Sequence, residues 1–170
     1  MSDLKDSMDR QQVLDLIKEA DILISNFRPA SAEKMGMDYV RIQALNPRLI
    51  YAQLTGFGEK SNRVAFDMVL QAEAGFLYMN GAPNQLPVKL PVALIDILAA
   101  HQMKEGVLLA LLKRVSSNKG AYVSVSLLDA ALASLANQAT NWLMAGHIPQ
   151  PLGRLHPNIC LLYTSPSPRD

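Results

Sequence analysis

Two short apolar runs, ILIS at residues 22–25 and LIYAQL at residues 49–54, constrain the fold more than any other feature. Each is too short for a helix, and each follows a segment with helical spacing and precedes a polar loop. Before the first, Ser7–Glu19 places Val13, Leu14, Leu16 and Ile17 opposite Asp6, Asp9, Arg10, Gln11 and Gln12, which predicts an amphipathic helix. Between the runs, Ser31 is positioned to cap a short helix ending at Met35, and residues 38–45 suggest another before the turn Asn46-Pro47-Arg48. Helix, strand, loop, helix, strand is the rhythm of βαβ units, so both runs are expected to be buried parallel strands of an α/β fold.

The pattern continues downstream. Residues 66–78 carry Met68, Val69, Ala72 and Phe76 on one helical face. Residues 79–91 hold Asn80-Gly81, Pro83, Pro87 and Pro91, an ordered loop with extended pieces. A long helix is expected from near Asp96 to Arg114, with Gly106 inside it as a point of close backbone packing. Ala121–Ser126 alternates as a strand, and residues 127–145 read as one alanine-rich helix closed by Gly146. Trp142 and the methionines fit a core or an interface.

Composition narrows the function classes. Hydrophobic residues make up 49% of the 170 and charged ones 18%, so a packed core is expected rather than a disordered chain. A net charge of +1 gives no electrostatic footprint for nucleic acid or an anionic membrane surface. The longest apolar run is broken by Asp96, His101, Lys104 and Glu105, which argues against a membrane span. The lone Cys160 builds no intramolecular disulfide, no CxxC metal spacing occurs, and no metal is expected. With a polar N-terminus and no secretory pattern, this fits a reducing cytoplasm.

Three places carry chemistry. The loop Asn26-Phe27-Arg28-Pro29 leaves the first predicted strand at its carboxyl end, where open α/β sheets place ligands. Gly56 and Gly58 lie in the polar loop of residues 55–63, a turn rather than a dinucleotide fingerprint, which needs a third glycine and an opening helix. Asp96 sits among Val92, Ala93, Leu94, Ile95, Ile97, Leu98, Ala99 and Ala100 with no cation within four positions. Such a carboxylate is either the N-cap of the long helix or a functional group, and the stretch alone leaves both open. His101 lies off the helical face of Asp96 and reads as a packed or surface histidine.

The order of motifs resembles the family III CoA-transferases, the CaiB/BaiF group that contains formyl-CoA transferase and carnitine CoA-transferase. The resemblance rests on SDLKD, ADILISNFRP, NPRLIYAQLTGFG, FDMVLQAEAG, the segment around Asp96 with GVLLALLKR, KGAYVSVSLLDAALA and GRLHPNI, which span nearly all of residues 2–159. It implies an incomplete Rossmann-like parallel-sheet domain with long helices. Residues 1–159 are then a partial nucleotide-binding domain, truncated at both ends, and residues 160–170 (CLLYTSPSPRD) resemble a translated adaptor tail.

By the same resemblance Asp96 falls on the family's nucleophilic aspartate. It would take the acyl group from CoA as a mixed anhydride and then hold CoA as a thioester, with N–H groups at the helix start holding its carboxylate. Asn26, Phe27 and Arg28 match the CoA-contacting loop, and Lys34 a basic position near the nucleotide, although in isolation a solvated surface cation is the favoured reading of Arg28 and Lys34. Leu4 and Lys5 match a further CoA-contacting segment. Phe66 stands where the related racemases carry a histidine, and a phenyl ring moves no proton, which sides with transfer over isomerisation. Asp67 is read as a contact to CoA or the acyl region, or as a polar helix-start residue. The implied substrates are an acyl-CoA and a carboxylic acid. The full-length family forms an interlocked homodimer, so this chain alone is expected to be inactive and to expose apolar helix faces.

Overall fold

The computed structural model describes residues 3–159, and the tail expectation at residues 160–170 lies outside them. Three parallel strands, β1 (Ile22–Ser25), β2 (Ile50–Thr55) and β3 (Ala121–Ser126), form one sheet in the order β1-β2-β3. Ile22 pairs with Ile50, and Ile50 with Ala121, so the three strands start level. Successive parallel strands need crossovers, and helices supply them. The helix α1 (Ser7–Glu19) precedes β1; α2 (Pro29–Met35) and α3 (Tyr39–Leu45) link β1 to β2. The second crossover contains α4 (Asp67–Glu73), α5 (Phe76–Met79) and α6 (Leu94–Ser117), and β3 runs directly into α7 (Leu127–Ala133) and then α8 (Asn137–Ala145).

Alternation along β2 sends side chains to two cores. On one face Tyr51 packs with Ile17, Met37, Ile42 and Leu49, and its hydroxyl donates to the Met37 carbonyl at 2.7 Å. On the other, Leu54 packs against Leu70, Ala74, Ile95, Ala99, Leu127, Ala130 and Ala131 from α4, α6 and α7. Gly106 lets α6 lie directly on β3, since a Cβ there would stand 2.6 Å from Val123 Cγ1.

The structure corrects several expectations. β2 is buried on both faces, but among the described residues β1 has no neighbour on its outer side and Ile24 is 67% exposed. Ser31 does not cap α2; the helix starts at Pro29, whose fixed φ suits the first helical position, with Arg28 at the N-cap. The segment 66–78 is two helices, because Gly75 takes a left-handed φ of 85°. Residues 127–145 are likewise two, separated around Ala136 at φ 46°. Trp142 is exposed, so the core half of its expectation fails. Finally, α6 starts at Leu94, which puts Asp96 inside the first turn and Ala93 at the N-cap. Asp96 is therefore not the cap.

Candidate active site

The loops that leave the three strands converge on one cleft of about 510 Å³. Asn26, Phe27, Arg28 and Pro29 follow β1, Thr55 and Gly56 end β2, and Leu127 follows β3. Phe66 and Asp67 at the start of α4, and Asp96 in the first turn of α6, complete the wall with Ser61, Arg63, Val64 and Ala65. Six of the residues singled out from sequence thus meet in one place: Asn26, Phe27, Arg28, Phe66, Asp67 and Asp96. Three do not. Lys34 is exposed in the last turn of α2, Leu4 packs beside the Ile17–Tyr51 core, and Lys5 is exposed near Asp3. His101 is also off the cleft, with Nδ1 3.0 Å from Lys104 Nζ.

The loop after β1 is held from below. Gln53, 4% exposed in the middle strand, donates its amide to the Phe27 carbonyl at 2.9 Å and the Ser25 carbonyl at 3.2 Å. This fixes the backbone from which Phe27 and Arg28 project. Arg28 reaches the Asn62 carbonyl at 3.5 Å, bridging to the opposite loop. That loop closes on itself. Gly56 is pressed against Ala65 so closely that a Cβ has no room, and the Arg63 guanidinium lies 3.7 Å from the centre of the Phe57 ring. Arg63 also pairs through both terminal nitrogens with the Glu73 carboxylate on α4.

The start of α6 is organised by Asp67. Its Oδ2 accepts from the Ile95 N–H at 2.7 Å and the Asp96 N–H at 3.2 Å, taking the place of the missing cap. The expectation that these N–H groups hold the Asp96 carboxylate is therefore wrong; they hold Asp67. The Asp96 carboxylate makes no hydrogen bond or ion pair among the described residues. Partial desolvation by the cleft wall, and then the negative charge of Asp67, push its pKa above the usual carboxylate value. An unpartnered carboxylate with raised basicity, open to a cleft, is equipped to attack a carbonyl carbon.

From sequence, Gln53, Arg63 and Gln71 went unnoticed. The signal for the two glutamines was a lone amide inside an apolar run, in LIYAQL and in DMVLQAE. Arg63 had none.

The sequence matches the family described as CoA-transferase family III over residues 1–165. The chain belongs to that family. It is 36% identical over 162 residues to the succinate–glutarate CoA-transferase of Agrobacterium fabrum, covering 94% of this chain and 40% of the relative. It is 35% identical over 158 residues to the acetyl-CoA:oxalate CoA-transferase of Acetobacter aceti, covering 91% of this chain and 41% of that one. The crystal structure of a CaiB/BaiF family protein from Brucella suis superposes with a TM-score of 0.88 at 35% identity, covering 93% of this chain and 43% of the other. The chain thus spans about two fifths of the length of the curated relatives it matches. Among the described residues no cluster of three or more His, Cys, Asp or Glu is placed to hold a metal, and no helix is long and apolar enough to cross a membrane.

Proposed function

We propose that this chain carries the nucleophile and part of the CoA site of an enzyme that moves CoA between an acyl-CoA and a carboxylic acid. The observation that carries this reading is the Asp96 carboxylate, free of partners and raised in pKa, facing a cleft at the carboxyl ends of three parallel strands. In the first step an Asp96 oxygen attacks the thioester carbonyl, and the C–S bond breaks to give a mixed anhydride and CoA thiolate. The thiolate then attacks the aspartyl carbonyl, releasing the donor acid and leaving an aspartyl-CoA thioester. The acceptor carboxylate attacks that thioester, freeing the thiolate again. Attack on the acyl carbonyl of the new anhydride yields the new acyl-CoA and restores Asp96.

The other residues divide the labour. Arg28 offers a fork of donors to CoA phosphate oxygens, and Asn26 and Phe27 shape the same loop. The nucleotide end runs from Arg28 along α2 toward Lys34. Leu4 and Lys5, away from the cleft wall, belong to this reading only through the family resemblance. Phe66 on the wall gives an isomerase no proton carrier at that point, which favours transfer. We extend the reading to a homodimer in the cytoplasm; the exposed apolar stripe Leu108, Leu109, Leu112 and Val115 on α6 supports the pairing, as a face suited to a partner.

In the complete reading frame containing this chain, Asp96→Ala is expected to lower CoA transfer on the order of 10³-fold or more, with CoA affinity in a calorimetric titration little changed. Transfer at the wild-type rate would remove Asp96 as nucleophile.

A further inference from the structure

α6 begins without a capping side chain of its own, and the acceptor comes from another helix. Asp67, the first residue of α4, turns Oδ2 to the Ile95 and Asp96 N–H groups, while Oδ1 accepts from the Gln71 amide one turn along α4. Gln71 is 1% exposed and uses both ends of its amide. Its nitrogen also donates to the Val92 carbonyl at 3.2 Å, and its oxygen accepts from the Leu90 N–H at 3.0 Å. One helix therefore grips the approach strap of residues 90–92 and the first turn of α6 together.

Asp96 is the third residue of α6, a position from which a carboxylate can fold back onto the free N–H groups of its own helix. Of these, the Leu94 N–H donates to the Val92 carbonyl and the Ile95 and Asp96 N–H groups donate to Asp67. A carboxylate on CoA phosphates would also be repelled, and both Asp67 oxygens are committed within the chain. Resting on the nucleophile reading above, we propose that Asp67 and Gln71 are positioning residues for Asp96. Both fix the start of α6, and Asp67, by filling the Ile95 and Asp96 N–H groups, keeps the Asp96 carboxylate off them and turned to the cleft. Asp67 thus belongs to the nucleophile's support rather than to CoA binding.

The charged groups on the same cleft wall are Arg28, Arg63 and Asp67, with Glu73 paired to Arg63. The test compares Asp67→Ala with Asp67→Asn, which keeps an acceptor oxygen. In the complete reading frame, Asp67→Ala is expected to lower kcat roughly 100-fold with KM for the CoA thioester within about threefold, and Asp67→Asn to recover about tenfold of that loss. In the 170-residue chain, carbon-detected NMR titration of Asp96 is expected to show its pKa falling in Asp67→Ala. There the carboxylate takes up the vacated N–H groups and loses a like charge. A raised KM at unchanged kcat, or an unmoved Asp96 titration in a folded variant, would overturn the assignment. Should Asp67→Ala not fold, the kcat and KM of Asp67→Asn decide alone, a wild-type kcat with a raised KM counting against it. The titration does not depend on transfer, so an Asp96→Ala enzyme that still turns over defeats the nucleophile reading and leaves the coupling separately legible.

Discussion

The two ends of the sheet are built to opposite specifications. At the amino end everything closes. Gly120 lies so tightly against the backbone at Arg48 and Leu49 that a Cβ would collide with the Leu49 carbonyl, and its N–H donates to the Pro47 carbonyl at 2.8 Å. Arg114, its side chain 12% exposed, ties the end of α6 to the strand entries through the Asp21 and Arg48 carbonyls at 3.3 and 3.1 Å and the Asp21 carboxylate at 2.9 Å. At the carboxyl end the backbone parts into a cleft, and a carboxylate is left without a partner. Close packing and paired groups gather at one end, and the proposed nucleophile stands at the other.

The contrast can be broken most forcefully at the amino end. Gly120→Ala places a methyl group against backbone that cannot swing away, and a loss of about 3 kcal/mol or more is expected in chemical denaturation. Arg114→Ala leaves the Asp21 and Arg48 carbonyls without their donor and is expected to cost about 1–3 kcal/mol by the same measurement. Neither change touches the cleft, so the Asp96 titration should keep its position in any fraction that remains folded.

The carboxyl end predicts a smaller effect of opposite sign. Because the folded pKa of Asp96 is raised above 3.8, the native state binds a proton more tightly than the unfolded chain. Stability is then lost as pH rises from the ordinary value through the raised one, and Asp96 is a liability at neutral pH. Asp96→Asn should therefore melt slightly higher than wild type at pH 7. The gap should shrink on acidification and close below pH 3.8, where the carboxyl is protonated in both states. A variant that melts lower at pH 7 would show that Asp96 stabilises the fold.

The amino-acid sequence carried the strands and their parallel run because short apolar segments between helical ones have few alternatives in an α/β fold. It misjudged continuity where one residue decides it. Gly75 breaks a helix that Phe66 and Tyr78 seemed to bracket, and Ala136 breaks another with no glycine or proline to announce it. Asp96 was visible as a charge in an apolar run, and the residues it meets across the cleft were visible as motifs. Its cap was not, since Asp67 is 29 positions away and nothing local links the two. Gln53 and Gln71 stood out only as lone amides in apolar runs, and the distant carbonyls and N–H groups they hold left no mark in composition or period.

The proposed transfer requires that Asp96 become covalently loaded. The complete reading frame, incubated with an acyl-CoA and quenched with hydroxylamine, is expected to yield an aspartyl hydroxamate in the peptide containing Asp96, seen by mass spectrometry and absent without acyl-CoA. Hydroxamate on another residue, or an unmodified Asp96 peptide from an enzyme turning over normally, would contradict it.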